Sequence, residues 1–152
     1  MGEIAKPVLE FKIKHGNVGK KRSYKLAPFE LKKGFSRKTI RELFDASDLP
    51  EDVKAQLFEI HPVIINQYQR KYFLSADKEF RITVDWNLKY VEVNPSYTSF
   101  NAYREDRQQL VMELKYSQDS EHKAHEVSSW FPFRMTKNSK YVNGLNSFHQ
   151  TF

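Results

Sequence analysis

Several segments of this chain, when they are read as strands, place charged side chains on one face and apolar side chains on the other. In residues 9–14 the order Leu-Glu-Phe-Lys-Ile-Lys places Glu10, Lys12 and Lys14 opposite apolar residues, because successive side chains of a strand point to opposite faces. Segments 68–73, 80–85 and 110–115 repeat this pattern. A strand with one apolar and one charged face lies on a solvated surface or lines a polar interior. Several such strands together predict one shared polar cavity.

The basic side chains on these faces have the chemistry of an anion site. A guanidinium binds two phosphate oxygens at once, and an ammonium adds a point charge. Cations in a confined site repel one another unless an anion or carboxylates offset them. A solvated surface remains the simpler interpretation for any single lysine, but it is weakened where the opposite face is apolar. The candidate phosphate-binding residues from this pattern are Lys12, Lys14, Lys21, Arg70, Arg81 and Lys115.

Two glutamates on the charged faces are candidate metal ligands, with Glu113 first and Glu10 second. Hard cations that accompany phosphates take carboxylate oxygens and few protein ligands, and water and substrate complete their shell. An ion pair with a neighbouring lysine or arginine explains Glu113 equally well. His122 and His125 lie in a polar run and fit solvated surface better than a metal site.

The composition is that of one basic domain. The chain has 152 residues, and 25 Lys and Arg against 19 Asp and Glu give a formal charge of +6. Such a surplus favours polyanionic partners. No cysteine is present, which excludes disulfides and thiolate metal sites. Residues 1–7 lack the apolar stretch of a signal peptide, and the apolar run 62–66 is too short to span a bilayer. We therefore expect a cytoplasmic domain with no membrane span.

The apolar spacing predicts an antiparallel α+β domain. In the first half we expect a hairpin over 8–26 that turns at 15–19. Ser36 caps a helix to Asp45 whose buried stripe is Ile40, Leu43 and Phe44. A second helix starts at Pro50, has Val53, Leu57 and Ile60 on one face, and ends at His61-Pro62. The second half predicts strands at 64–74, 79–85 and 88–93, a loop or short edge over 94–106, a strand at 110–116, and helices at 119–130 and from 139. Leu110, Met112 and Leu114 form the expected buried face of the 110–116 strand.

Five segments in this order resemble the VTC domain, the polyphosphate polymerase module of the triphosphate tunnel metalloenzyme (CYTH-like) superfamily, in its stand-alone prokaryotic form. They are residues 8–14, 68–72, 81–85, 113–116 and 139–142. Each segment alone is weak, whereas five in order are fairly specific. The resemblance extends from about Lys6 to Gly144.

The resemblance implies a β tunnel with helices packed on its outside and a basic inner wall that holds triphosphate or polyphosphate. Family members carry further strands ahead of the first strand seen here. Residues 1–152 are therefore expected to be a single VTC-like domain that corresponds to the C-terminal two-thirds of the family domain, with an incomplete tunnel. The open strand edge at Val8 then favours self-association with another chain.

The resemblance also implies an enzyme that transfers the γ-phosphate of ATP to a polyphosphate chain with Mn²⁺ or Mg²⁺ as cofactor. Such chemistry rests on positioning and charge neutralisation. Arg70 and Lys140 are its implied catalytic residues, and Glu113 is its implied metal ligand. The implied phosphate-binding residues are Lys12, Lys14, Lys21, Tyr68, Arg70, Arg81, Lys115, Ser139 and Lys140.

Other functions stay open from the residues. The same basic wall suits hydrolysis of triphosphate or cyclisation of ATP. A polyanion-binding module without turnover is a second class, and the missing strands favour it. Nucleic-acid binding ranks last, because no recognition helix or RNP-type aromatic pair is evident, although Tyr68 and Tyr72 are able to stack on bases.

Overall fold

A computed structural model describes residues 2–15, 18–32, 36–93 and 103–149. The chain divides into two compact units. The first contains the described residues up to Val63 together with Val93, and the second contains Ile64–Glu92 and residues 103–149. Each unit has its own buried cluster of apolar residues, so each is described by itself.

The first unit is built on the predicted hairpin. Strands β2 (Val8–His15) and β3 (Val18–Lys25) pair antiparallel, with Leu9 opposite Tyr24. Strands β1 (Glu3–Ile4) and β4 (Phe29–Glu30) pair as well. The sequence did not predict β1 and β4, because two residues carry no alternation. Residues 16 and 17 of the predicted turn lie outside the described part.

Two helices complete the first unit. In α1 (Arg37–Asp45), the Ser36 hydroxyl accepts a hydrogen bond from the Thr39 amide, which confirms the predicted cap. Helix α2 is Glu51–Phe58. The buried core is Leu49, Val53 and Leu57, against which Leu9, Phe11, Tyr24, Leu26 and Phe44 pack.

The prediction for Ile60 is wrong. Helix α2 ends at Phe58, so Ile60 lies beyond the helix and is 57% exposed. The residue before a proline avoids helical geometry, and the helix stops still earlier than His61-Pro62 requires. The stripe of α1 is confirmed in part, because Ile40, Leu43 and Phe44 are half-buried rather than buried.

The second unit is a four-stranded antiparallel sheet. Its strands are β5 (Ile64–Leu74), β6 (Phe80–Glu92), β7 (Tyr103–Asp106) and β8 (Val111–Tyr116). Strand β6 is central, with β5 along one side and β8 and then β7 along the other. It is one strand where the sequence predicts two. The pairing register shifts between Gln67 and Gln69, near Asn87, whose φ is positive.

The side chains that are buried on and beside β8 differ from the predicted ones. Leu110 precedes β8 and is 63% exposed, while Met112 and Leu114 are half-buried. Val111, on the charged face, is buried in a cluster with Leu88 and Tyr90. The alternation of β8 is as predicted, but the apolar core continues onto the charged face at its Val111 end.

Helices lie against both faces of this sheet. Helix α3 (Glu121–Ser129) follows a short 3₁₀ turn, Gln118–Ser120, and its Val127 lines a cleft with Phe73 and Ile82 on the apolar face. Helix α4 (Lys140–His149) packs on the charged face, where Gly144 approaches Ile64 and Tyr90. The α+β class with an incomplete barrel is confirmed, since no sheet closes on itself in the described part. No described helix is long and apolar enough to span a bilayer.

Candidate functional site

Cross-strand pairing brings the charged residues of the second unit to one face of the sheet. Arg70 lies opposite Asp85, Arg81 opposite Lys115, and Thr83 opposite Glu113. Directly opposed residues of antiparallel strands share a face. We call this set the basic face: Arg70, Tyr72, Arg81, Thr83, Asp85, Glu113 and Lys115. Four predicted site residues of three different strands, Arg70, Arg81, Glu113 and Lys115, therefore lie on one surface.

A buried carboxylate lies at one end of the basic face. The Asp85 side chain is 1% exposed. Its Oδ1 accepts from Arg70 Nε at 2.5 Å, and its Oδ2 accepts from Arg70 Nη2 at 2.7 Å and from Lys140 Nζ at 2.6 Å. Lys140 is the first residue of α4, so this helix brings a second cation to the carboxylate. The two residues predicted to be catalytic share one anion.

The ionisation of this cluster follows from its contacts. Burial opposes the charged form of Asp85, but the hydrogen bonds from Arg70 and Lys140 outweigh burial and hold the pKa of Asp85 below its ordinary value. The hydrogen bond to Asp85 likewise raises the pKa of Arg70, against the effect of burial. Asp85 and Arg70 are therefore both charged at neutral pH, and the cluster sets two basic side chains against one carboxylate.

Aromatic rings hold the two cations in place. The Arg70 guanidinium lies 4.9 Å from the Tyr68 ring centroid and 5.7 Å from that of Tyr72. Lys140 Nζ lies 5.1 Å from the Tyr68 ring centroid. These distances are those of cation–π contacts. The predicted Tyr68 therefore belongs to this cluster, where its ring restrains both cations.

The other end of the basic face carries Arg81 and Lys115. They line a cleft of about 500 Å³ together with Lys78, Ser117 and other residues. Arg81 is four residues from Asp85 along β6, which at roughly 3.3 Å per residue separates the two ends by about 13 Å. The basic face is thus long enough for an extended anion rather than a single phosphate.

Glu113 lies between these ends and is the one predicted metal ligand on the basic face. Its Oε2 is 3.4 Å from Lys115 Nζ and 3.5 Å from Thr83 Oγ1, and its side chain is 48% exposed. In the described residues no three His, Cys, Asp or Glu side chains group into a metal site. Glu113 fits a single ligand to a hard cation whose remaining ligands are water and phosphate oxygens. His122 and His125 are exposed on α3.

The remaining lysines of the prediction lie in the first unit. Glu10 accepts from Lys21 Nζ at 2.5 Å and is 3.8 Å from Lys12 Nζ. Both lysines are mostly exposed. These ion pairs give Glu10 a role without a metal. The side chain of Lys14 lies outside the described part.

Ser139 acts on the backbone of α4. Its hydroxyl accepts a hydrogen bond from the Val142 amide at 3.4 Å, as the cap of a helix does. The same residue immediately precedes Lys140. The described contact therefore gives Ser139 a part in fixing the helix end that carries Lys140.

Asp85 is the residue that sequence reasoning missed. The signal was present, since Asp85 follows Arg81 and Thr83 at period 2 and therefore shares their face. The partners were not predictable in the same way. Lys140 belongs to a helix far from β6 along the sequence, and no local sequence pattern links the two.

Comparisons with known proteins place the chain. No curated protein and no solved structure matches it. The family model of the VTC domain matches residues 3–149, which is nearly the whole chain and includes the basic face and α4. The chain therefore belongs to the VTC domain family, and this membership supports a polyphosphate-related, polymerase-like function at the level of the family.

Proposed function

We propose that the basic face binds a triphosphate or polyphosphate chain and transfers the γ-phosphate of ATP to that chain. Arg70 and Lys140 would bind phosphate oxygens at one end, and Arg81 and Lys115 at the other. Positioning and charge neutralisation are the main requirements of phosphoryl transfer. Lys12, Lys14 and Lys21, which lie in the first unit, remain predicted phosphate-binding residues.

One observation carries this proposal: Arg70 and Lys140, which share Asp85, each have hydrogen-bond donors that Asp85 does not use. A guanidinium has five donors and an ammonium three. Asp85 takes two donors from Arg70 and one from Lys140. Their side chains are 22% and 18% exposed. The donors that Asp85 leaves, together with Arg81 and Lys115 about 13 Å away along β6, suit an anion with several phosphates.

A divalent cation would be held at Glu113, jointly with phosphate oxygens and water. When bound there, it would neutralise negative charge on the phosphates beside Lys115. The carboxylate of Glu113 is half exposed and is therefore accessible to a metal–phosphate complex. Asp85 is excluded as a ligand by its burial and by its three hydrogen bonds.

Calorimetric titration with tripolyphosphate tests the anion site. Loss of a hydrogen bond to a charged group costs about 1.5–3 kcal/mol, so Arg70→Ala should weaken binding roughly tenfold to a hundredfold. Arg70→Lys should recover only part, because an ammonium keeps the charge but loses the fork. Arg107→Ala is the matched control. Arg107 pairs with Glu105 in the same unit, outside the basic face.

Two further measurements complete the test. Glu113→Gln should leave metal-free binding as tight or tighter, because it removes an anion, and should reduce Mn²⁺-dependent binding. If Arg70→Ala and Arg107→Ala weaken binding equally, and both effects vanish with added salt, the site is an ordinary solvated surface. Incubation with ATP and Mn²⁺, followed by assay of polyphosphate and free phosphate, separates a polymerase from a hydrolase and from a binding module.

A further inference from the structure

Asp85 engages only some of the donors of each cation, and the Tyr72 hydroxyl also takes a hydrogen bond from Arg70. Arg70 turns its Nε and Nη2 atoms towards Asp85. Its Nη1 group takes no part in these two bonds. Lys140 gives Asp85 one hydrogen bond and has further donors.

The exposed fractions of the three side chains also differ. Asp85 is 1% exposed, whereas Arg70 and Lys140 are each about a fifth exposed. Solvent therefore reaches the cations and not the carboxylate. An anion that arrives from solvent meets Arg70 and Lys140 without having to displace Asp85.

Asp85 also fixes where the cations are. Arg70 and Lys140 have long, flexible side chains, and they come from different elements, β5 and α4. Without the carboxylate, two partly buried positive charges would repel each other. Each would then move to a different position, and the spacing between their free donors would be lost.

We propose that Asp85 is a positioning residue, which holds Arg70 and Lys140 at the spacing that binds polyphosphate and keeps both contacts when the ligand is bound. This inference rests on the proposed function. For the loss of the Asp85 carboxylate, it predicts a change in polyphosphate affinity opposite to the change that net charge alone predicts. Removing an anion makes the site more positive, so charge alone predicts tighter binding of polyphosphate, whereas positioning predicts weaker binding.

Tripolyphosphate titration of Asp85→Asn and Asp85→Glu decides between these signs. Asp85→Asn should weaken binding about tenfold or more, as expected when one charge-assisted hydrogen bond is lost. Asp85→Glu keeps the charge and should recover part of the affinity. Glu105→Gln is the matched control, because Glu105 also lies between a lysine and an arginine, at 3.7 Å from Lys89 and 3.0 Å from Arg107. It should leave binding unchanged or slightly tighter.

A second measurement uses the unaltered chain, because Asp85→Asn also weakens folding of the unit. The nitrogen–proton correlation signal of the Arg70 Nε–Hε group, assigned by its loss in Arg70→Lys, reports the bond to Asp85. This signal should persist at nearly the same position when tripolyphosphate saturates the protein. A large shift or loss on saturation means that phosphate replaces Asp85, and it overturns the inference.

The outcomes separate the two proposals. Unchanged or tighter binding by a folded Asp85→Asn, with weaker binding by Arg70→Ala, overturns the positioning role and leaves the proposed function intact. If the unaltered chain does not bind tripolyphosphate, the proposed function fails and this inference fails with it.

Discussion

Asp85 carries a full negative charge at a position that water hardly reaches. A lone carboxylate there would take up a proton, because burial raises its pKa. Arg70 and Lys140 reverse this effect and keep the pKa of Asp85 below the ordinary value. Removing one partner of a buried ion pair typically lowers the free energy of unfolding by about 3–5 kcal/mol. The stability of the second unit should therefore depend on the ionisation of this single residue.

The pH dependence of unfolding tests this. The folded pKa of Asp85 is below the unfolded value of about 3.9. Its contribution to stability is therefore present above the unfolded pKa and is lost as pH falls through the folded pKa. The difference in free energy of unfolding between the wild type and Asp85→Asn should be largest at neutral pH and should narrow in acid. Urea unfolding followed by the fluorescence of Trp86 and Trp130, both in the second unit, measures it. A difference that stays constant in acid contradicts the prediction.

Helix α4 is the element that completes the cluster, and its own sequence does not favour Lys140 at that end. A cation at a helix N-terminus opposes the helix dipole at a cost of about 0.3–1 kcal/mol, and the first turn of α4 has no acidic residue. Asp85 offsets this cost from outside the helix. The free amides at the same helix end also favour a nearby anion, which agrees with a phosphate site.

Gly144 sets how closely α4 packs on the sheet. A Cβ at Gly144 would overlap the Ile64 side chain and lie 2.6 Å from Cδ1 of Tyr90. Gly144→Ala should therefore push α4 away from β5 and β6 and move Lys140 from Asp85. We expect lower stability and weaker tripolyphosphate binding, although helix propensity alone predicts a gain of about 1 kcal/mol.

Asn146→Ala is the control for Gly144→Ala, because Asn146 is exposed on the same helix. It should show a smaller propensity gain, of up to about 0.7 kcal/mol, without loss of binding. Thermal unfolding and tripolyphosphate titration of both variants measure the two effects. Equal behaviour of the two variants would mean that close packing at Gly144 does not position Lys140.

Local patterns account for the parts of this fold that were predictable. Period-2 alternation predicted the face shared by Arg70, Arg81 and Lys115, because strand geometry fixes which side chains share a side. The Ser36 cap was predictable from the hydroxyl that a helix start needs. Features that depend on distant partners were not predictable. The exposure of Leu110 and the contact of Lys140 with Asp85 arise from which elements meet, and no short spacing encodes that.

At the scale of the whole molecule, the described part contains strand edges that have no paired neighbour. Among the described residues, β2 pairs with β3 alone, as predicted for the strand that begins at Val8. Strand β5 borders β6 and has no second neighbour in the same part of the chain. Unpaired strand edges favour pairing with another chain. Self-association through β2 therefore remains our prediction.

The hydrogen-bond pattern identifies a substitution that tests the β2 edge. Leu26 donates its amide to the Pro7 carbonyl, and bonded and non-bonded pairs alternate along an antiparallel ladder. The amide of Val8 therefore points away from β3, towards the open edge. Val8→Pro removes this donor without breaking the hairpin, and proline is tolerated at the first residue of a strand.

Light scattering coupled to size exclusion should show a dimer or larger species that Val8→Pro weakens. In a two-fold symmetric pairing each lost hydrogen bond counts twice. At about 0.5–1.5 kcal/mol each, the dissociation constant should rise roughly fivefold to a hundredfold. Leu74→Pro is the matched control, because Ser75 donates to the Phe80 carbonyl and the Leu74 amide thus points to the open edge of β5. If Leu74→Pro acts and Val8→Pro does not, association uses β5. A wild-type chain that stays monomeric at all concentrations contradicts pairing at either edge.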